Sequence, residues 1–257
     1  IANTDNHIFI NAGAGTGKTT TIVESSSLLP VGTKAAFLAF NKSIADELAT
    51  KLPEGVVAKT FHAFGFAAIR AARVKTKVNN YKLNNIIKDL LGADFYAVPL
   101  KKLVSLVKGS LVEGNDIKSI NILIDEYNIN FNSEREEQIA IESIPAILTM
   151  CRTQTHLIDF DDMIWMPLVN DYPFPKYDVL FVDEAQDFNE SQREMISKCV
   201  NGGRCIIVGD KNQAIYGFRG ADSNSIGLFR VVSYTLLTLP TTLSFQHSFV
   251  AVYRNNT

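Results

Sequence analysis

Residues 12–19 read Ala12-Gly13-Ala14-Gly15-Thr16-Gly17-Lys18-Thr19, and this stretch indicates how the chain folds. An apolar run at residues 7–12 predicts a strand before it, and a helical pattern from Lys18 to about Leu29 follows it. A strand, a glycine-rich turn and a helix in this order are typical of a phosphate-binding loop, the Walker A motif or P-loop. Glycine lets backbone N–H groups approach phosphate oxygens closely, and the helix N-terminus adds a favourable dipole.

The loop pattern gives roles to individual side chains. Lys18 is placed to reach the β- and γ-phosphates of a nucleotide, and Thr19 is placed to hold Mg²⁺. Ala12 stands where this pattern usually has its first glycine. The residues expected to bind the nucleotide are Ala12, Gly13, Ala14, Gly15, Thr16, Gly17, Lys18, Thr19 and Thr20.

A second motif, Asp183-Glu184-Ala185-Gln186-Asp187, directly follows the apolar stretch from Val179 to Val182. A carboxylate at the carboxyl end of a parallel strand lies where a Mg²⁺ ligand beside a phosphate loop belongs, so we assign that role to Asp183. Glu184 is then placed to orient or deprotonate an attacking water. Two adjacent acids after a strand, taken alone, are more often a helix N-cap, and the phosphate-binding loop is what favours the catalytic roles.

A third motif runs from Val208 to Ala221 and reads Val-Gly-Asp-Lys-Asn-Gln-Ala-Ile-Tyr-Gly-Phe-Arg-Gly-Ala. Gln213 is a candidate sensor of the γ-phosphate, which completes a predicted catalytic set with Lys18, Asp183 and Glu184. Tyr216 and Phe218 are candidates for stacking on unpaired bases, which need flat partners and no sequence code. Arg219 is a candidate for contacting phosphate or for bracing the loop. Core packing is the alternative role of the two aromatic residues.

Alternating strands and helices surround these motifs. Further strands are predicted at residues 35–40, 56–58 and 205–208, with helices between them. This rhythm predicts an α/β fold, with a parallel sheet and helices on both faces. Residues 73–155 lack strand patterns, and we predict a mainly helical subdomain inserted into the α/β domain.

Composition and charge limit the classes of protein that fit. The chain has 257 residues, of which 46% are hydrophobic and 20% charged, as in ordinary globular proteins. No run reaches the roughly 18 apolar residues of a membrane span, and the N-terminus lacks a secretory pattern. Cys151, Cys199 and Cys205 lack the spacing of a zinc site. We therefore expect reduced, buried thiols and a soluble, intracellular (cytoplasmic) protein without a membrane partner.

The charge is unevenly distributed although the net charge is only −2. The segment from Arg70 to Lys108 holds nine basic and two acidic residues, whereas the segment from Glu113 to Glu142 holds eight acidic and two basic residues. The basic segment predicts contacts with nucleic-acid phosphates, through Lys75, Lys77 and Lys82 among others. Ordinary solvated helix faces are the alternative interpretation of both segments.

In order and spacing, the three motifs resemble motifs I, II and III of superfamily 1 DNA helicases of the UvrD/Rep/PcrA type. Weaker segments agree: residues 39–42 resemble motif Ia, residues 60–64 the next DNA-contacting motif, and residues 158–163 an Asp-Phe-Asp-Asp segment. The matched stretches cover about residues 8–70 and 156–222. With the third motif, the resemblance implies nucleic-acid contacts by Phe40, Asn41, Phe61, His62, Tyr216, Phe218 and Arg219.

The resemblance implies a RecA-like P-loop NTPase. Residues 1–72 and 156–257 would form the ATP-binding motor domain (1A-like), and residues 73–155 a helical inserted subdomain (1B-like). It also implies ATP and Mg²⁺ as cofactors, movement along single-stranded DNA in the 3′-to-5′ direction, and a role in DNA repair, replication or recombination.

Two departures from the family pattern bear on catalysis. No glutamine motif that would read adenine precedes Ala12. Gln246 stands where motif IV has an arginine, and Arg254 cannot be equated with it by spacing. We expect the second motor domain, with its arginines, to lie downstream of Thr257 in the same gene or in another chain.

On that expectation this chain alone would hydrolyse ATP weakly. Two alternatives remain beside a DNA helicase motor. One is a nucleotide-gated module that binds nucleic acid without efficient hydrolysis. The other is an RNA-directed or nuclease-coupled relative.

Overall fold

A seven-stranded sheet is the centre of the fold. The computed structural model describes residues 7–12, 16–92, 95, 97–183, 187–200, 202–209, 234–238 and 252–254. The strands of the large sheet are β1 (His7–Asn11), β2 (Ala35–Ala39), β3 (Val56–Thr60), β6 (Val179–Val182), β7 (Arg204–Gly209), β8 (Tyr234–Thr238) and β9 (Val252–Arg254). A separate pair consists of β4 (Lys77–Val78) and β5 (Leu157–Ile158).

The large sheet has the order β3-β2-β6-β7-β1-β8-β9 and is parallel except for the last pair, β8 and β9. Every residue of β2 and β6 is buried, which is typical of a parallel sheet covered by helices on both faces. The predicted α/β fold with a mostly parallel, helix-flanked sheet is therefore confirmed. Sequence patterns did not predict β8, which pairs with β1, or β9.

Five helices pack on the two faces of the large sheet. They are α1 (Lys18–Ser26), α2 (Lys42–Ala49), α3 (Phe61–Ala71), α8 (Phe160–Val169) and α9 (Glu190–Cys199). Ile22 of α1 and Leu48 of α2 share a hydrophobic cluster with Phe37 of β2, on one face. On the other face, Phe64 of α3 and Met195 of α9 pack with alternate strand residues. Helices thus cover both faces of the large sheet.

The segment between α3 and β5 is built mainly from α4 (Lys82–Leu91), α5 (Ala97–Gly109), α6 (Ile117–Glu126) and α7 (Glu134–Thr153). These helices share a third hydrophobic cluster, which also takes in Ile69 of α3 and Trp165 of α8. The division into a 1A-like part at residues 1–72 and 156–257 and a 1B-like part at residues 73–155 stays a prediction. None of the described helices has the length and apolar character needed to cross a membrane.

Candidate nucleotide and nucleic-acid sites

The glycine-rich motif lies between the end of β1 at Asn11 and the start of α1 at Lys18, so the strand and the helix that it predicts on either side are both present. The Ala12 N–H donates to the carbonyl oxygen of Gly209 over 3.0 Å, which ties the end of β1 to the end of β7. Gly17 immediately precedes α1 with φ 78° and ψ 30°, a left-handed conformation that favours glycine. The next residue, Lys18, begins the helix, so its side chain and the helix N-terminus lie at the same end of the sheet.

Thr19 and Asp183 meet at this end of the sheet. The Thr19 hydroxyl donates a hydrogen bond to Asp183 Oδ2 over 3.3 Å, although the two residues are 164 positions apart in sequence. Thr19 lies in the first turn of α1 and Asp183 directly follows β6, with β7 between their strands. A hydroxyl and a carboxylate side by side are oxygen ligands that suit Mg²⁺, so these two residues fit the predicted metal site.

The other predicted nucleotide-site residues divide into two groups. Thr16, Lys18 and Thr20 flank the turn with partly or fully exposed side chains. The other predicted residues of the three motifs lie outside the described residues, and their roles stay predictions. They are Gly13, Ala14 and Gly15 of the first motif, Glu184 of the second, and Gln213, Tyr216, Phe218 and Arg219 of the third.

The predicted nucleic-acid contacts before residue 65 occupy different environments. Phe40 follows β2 and is half-buried, and Asn41 caps α2 by accepting a hydrogen bond from the Ile44 N–H over 2.9 Å. Phe61 is 2% exposed and packs edge-on against Phe188, with ring centroids 4.8 Å apart. Phe61 is thus a core residue in this structure and presents no ring face to a base.

His62 and Phe160 line a cleft on the face of the sheet that α3, α8 and α9 cover. Their rings meet edge to face at a centroid distance of 5.5 Å, and Phe160 is 52% exposed. The cleft has a volume of about 470 Å³, and its lining includes Lys102 and Ser105 of α5 and Gln192 of α9. An exposed ring beside an imidazole and polar side chains offers a flat surface to an unpaired base.

Sequence reasoning noted Phe160 only within the segment at residues 158–163 and gave it no contact role. The signal that could have singled it out is its position in the first turn of a helix, between Asp159 and Asp161. That turn is polar, so an aromatic residue in it is not required by the core.

The basic segment is less available to phosphates than its composition predicts. Lys82 and Lys108 are each 1% exposed, and both form ion pairs with Asp162, which is itself buried. The contribution of Lys82 to a phosphate-binding surface, predicted from charge, is therefore wrong, because its ammonium group is buried and paired with a carboxylate. Arg70, Arg73, Lys75, Lys77 and Lys88 are exposed and remain candidates.

Charge compensation dominates the electrostatics of this buried cluster. Burial disfavours the ammonium form of Lys108, but the Asp162 and Asp159 carboxylates outweigh burial and raise the pKa of Lys108. Burial raises the pKa of the Asp159 carboxyl, and the nearby Lys108 ammonium only partly offsets it. The Lys108 side chain thus remains charged in the native protein.

The fold and the site define a P-loop nucleotide-binding domain of the RecA-like class, with a mostly parallel sheet, a glycine-rich segment between β1 and α1, and a contact between Thr19 and Asp183 at the carboxyl edge of the sheet. Residues 1–231 match the family model described as the UvrD/REP helicase N-terminal domain. Because this match covers most of the chain, the chain belongs to the UvrD/REP helicase family, and the resemblance seen in its motifs is confirmed.

Curated relatives carry names that agree with this family. The chain is 29% identical to F-box DNA helicase protein 1 of Schizosaccharomyces pombe, over 96% of this chain and 30% of that protein. It is 28% identical to ATP-dependent DNA helicase Rep of Buchnera aphidicola subsp. Acyrthosiphon pisum, over 88% of this chain and 39% of that protein. It is 27% identical to ATP-dependent DNA helicase Rep of Escherichia coli, over 84% of this chain and 36% of that protein. The chain thus spans between 30% and 39% of the length of these relatives.

Proposed function

We propose that this chain is the ATP-binding motor part of an ATP-dependent DNA helicase or translocase. The motor would couple hydrolysis of Mg²⁺-ATP to movement along single-stranded DNA, 3′-to-5′ as the resemblance implies, in DNA repair, replication or recombination. The observation that carries the proposal is the contact between Asp183 and Thr19, which lies in the first turn of α1, the helix that follows the glycine-rich motif. Family membership and the names of the relatives support the choice of DNA as the track.

In this proposal the side chains around the turn divide the chemistry between them. Lys18 and the α1 N-terminus bind the phosphates. Thr19 and Asp183 would hold Mg²⁺, which when bound neutralises charge on the phosphate oxygens. Glu184 orients or deprotonates the attacking water, and Gln213 senses the γ-phosphate.

Single-stranded DNA would pass over the carboxyl edge of the sheet and the neighbouring cleft. Phe160 and His62 supply a ring surface for an unpaired base, and Phe40 and Asn41 lie at the end of β2, at the same edge of the sheet as the phosphate loop. Tyr216 and Phe218 would add further stacking surfaces. The exposed lysines Lys75 and Lys77 are the candidates for phosphate contacts.

We further propose that an arginine from a second motor domain completes the catalytic site. In the expected motif IV position this chain has Gln246 rather than arginine. The second domain would be supplied by the same gene or by another chain, and hydrolysis by the present chain would be weak without it. The same substitution favours a second candidate function, a nucleotide-gated DNA-binding module without efficient turnover.

ATP hydrolysis with and without single-stranded DNA tests the proposal, with Lys18→Ala measured in parallel. DNA-stimulated turnover that Lys18→Ala abolishes would support a motor. Mg²⁺-ATP binding that depends on Lys18, with little turnover, would support half of a motor whose arginine comes from elsewhere. A complete lack of nucleotide binding would refute the proposal.

Glu184→Gln separates a motor from a nucleotide-gated module. In a motor this substitution abolishes turnover and leaves ATP binding intact, because the carboxylate acts on water rather than on the nucleotide. In a module without turnover it changes neither ATP binding nor DNA binding. Since turnover by the chain alone would be weak, the comparison is made over long incubations at high protein concentration.

A further inference from the structure

Two lysines and two aspartates form a buried cluster at the start of α8. The Lys82 ammonium donates to Asp162 Oδ2 over 2.6 Å, and the Lys108 ammonium donates to Asp162 Oδ1 over 2.8 Å. Lys108 also lies 3.6 Å from Asp159 Oδ2. The four side chains are all between 0% and 9% exposed, so water screens these charges little.

The two aspartates also fix the first turn of α8. Asp159 is the N-cap and accepts from the Asp162 N–H over 2.7 Å, and Asp162 Oδ2 accepts in return from the Asp159 N–H over 3.4 Å. Phe160 lies between these two residues, in the same turn. The backbone at Phe160 is therefore held by Asp159 and Asp162, the same carboxylates that form ion pairs with the lysines.

The lysines arrive from the helices of the inserted segment. Lys82 begins α4 and also donates to the Cys151 carbonyl of α7 over 2.7 Å. Lys108 belongs to α5 and lies over the Trp165 ring of α8, 5.4 Å from its centroid. Lys108 and Trp165 both line the cleft of Phe160 and His62. Lys108 therefore connects α5 with α8, the two helices that supply much of the cleft lining.

A neutral buried cluster of this kind is a weak source of net stability. Desolvation of the charges costs about as much free energy as the ion pairs return, and apolar replacements of such clusters are often neutral or stabilising. Its geometry, by contrast, is strict, because each oxygen of Asp162 receives its own ammonium group. Such a cluster contributes little net stability, but it fixes the position of α5 relative to α8.

We propose that the Lys108–Asp162 ion pair is a positioning element for DNA binding: it sets the separation of α5 from the first turn of α8, and so the presentation of Phe160 to an unpaired base. The inference rests on the proposed function, since it takes the cleft as a DNA contact. In this proposal Lys108 acts through Phe160, because its ammonium group is buried and already paired with Asp162. Lys82 binds the other oxygen of Asp162 and fixes the orientation of that carboxylate.

The test compares a charge-unbalanced variant with a charge-balanced one in the full chain. Lys108→Met alone leaves two buried carboxylates against one ammonium, and we expect it to lower the unfolding temperature. Lys108→Met combined with Asp159→Asn leaves one of each, and asparagine can still cap α8. The double variant should therefore recover the unfolding temperature and keep the affinity for Mg²⁺-ATP.

Affinity for an oligo(dT) strand, measured by fluorescence anisotropy, decides between positioning and stability. We expect the double variant to bind the strand about tenfold more weakly than the unsubstituted chain, the scale of coupling within one network. Strand affinity equal to that of the unsubstituted chain would overturn the proposal while leaving the proposed function standing. Failure of the unsubstituted chain to bind the strand would instead count against the proposed function.

A distance measurement tests the same inference without DNA. Spin labels at Val98→Cys in α5 and Ser197→Cys in α9, both exposed positions, report the separation of α5 from α9, the helix that packs against α8. We expect the distance distribution to shift or broaden in the charge-balanced double variant, and an unchanged distribution would overturn the proposal. If the double variant does not fold, Lys108→Arg keeps the charge but lengthens the side chain, and the same two readouts apply to it.

Discussion

The Thr19 hydroxyl lies 3.3 Å from Asp183 Oδ2, so the first turn of α1 and the end of β6 share one polar contact at the carboxyl edge of the sheet. Because Asp183 would hold Mg²⁺, we expect Asp183→Asn to abolish the tightening of ATP binding by Mg²⁺. Metal-free nucleotide binding through Lys18 should remain. Titration of a fluorescent ATP analogue with Mg²⁺ and with EDTA measures both.

A matched control lies at the other end of the same strand. Asp178 precedes β6, is exposed, and accepts from the Lys34 N–H over 2.8 Å, a role that asparagine can also fill. Asp178→Asn removes the same charge without touching the carboxyl edge and should bind Mg²⁺-ATP as the unsubstituted chain does. Equal Mg²⁺ dependence in the two variants would show that Asp183 is no ligand.

Phe160 offers the clearest single test of the DNA path. Stacking on an aromatic ring contributes about 1–3 kcal/mol per base, so Phe160→Ala should weaken single-strand binding by about fivefold or more. Ile122→Ala is the control, because Ile122 has the same 52% exposure but lies on α6 in the acidic segment. Anisotropy titrations of a labelled strand measure both variants. Similar reductions in affinity for the two would place the strand away from the cleft.

The salt dependence of DNA binding tests whether the exposed lysines of the basic segment, and not the buried Lys82, contact the phosphates of the strand. Lys75 and Lys77 are exposed, so Lys75→Gln with Lys77→Gln should reduce the slope of log affinity against log salt, by about 0.7 for each phosphate that is no longer neutralised. Adding a Lys82 substitution should not flatten the slope further, since Lys82 is paired with Asp162. A double substitution of the exposed Lys118 and Arg135 removes the same charge from the acidic segment and should leave the slope unchanged.

Local sequence patterns predicted those parts of the fold that local physics determines. The apolar stretches at β2 and β6 and the start of a helix at Lys18 each depend on neighbours in sequence. These two strands form where the patterns predicted them, and α1 begins at Lys18 as predicted but ends at Ser26, before the predicted end at about Leu29. The contact between Thr19 and Asp183 followed because parallel strands bring their carboxyl ends to one edge.

Other features depend on partners far away in the sequence and left no local signal. Lys82 is 80 residues from Asp162, so its composition-based assignment to a phosphate-binding surface ignored a partner that no pattern reveals. Phe61 belongs to a segment that resembles a DNA-contacting motif, yet its ring is buried in the core against Phe188. The strand β8 lacks alternation that would set it apart from the surrounding apolar stretch, and its pairing with β1 defines it.

The crossing of α3 and α8 depends on the absence of a side chain at Gly65. A Cβ atom built there would lie 1.8 Å from the Met163 carbonyl oxygen, a backbone atom that cannot yield without moving α8. We expect Gly65→Ala to lower the free energy of unfolding by about 1–3 kcal/mol, as overpacking does. Ala71→Ser, at an exposed position of the same helix, should change it by less than about 0.5 kcal/mol. Urea denaturation measures both.

The buried thiols predict a loss of stability at high pH. All three cysteines are free and buried, and burial raises the pKa of the Cys199 thiol from its ordinary 9.0 to about 12. Below about pH 8 the thiol is almost fully protonated in both the folded and the unfolded chain, so it contributes little pH dependence there. Above pH 9 the unfolded chain releases this proton while the native protein retains it, and the free energy of unfolding falls as pH rises towards 12.

Cys199→Ala isolates this effect from that of other groups that titrate in the same range. Between pH 8 and pH 10.5 the unsubstituted chain should lose about 2 kcal/mol more stability than Cys199→Ala, because only the former carries this thiol. Any cavity left by the missing sulfur lowers stability equally at both pH values and cancels in the comparison. Urea denaturation at the two pH values gives the difference, and an identical pH dependence in both proteins would mean that Cys199 is accessible to water in the native state.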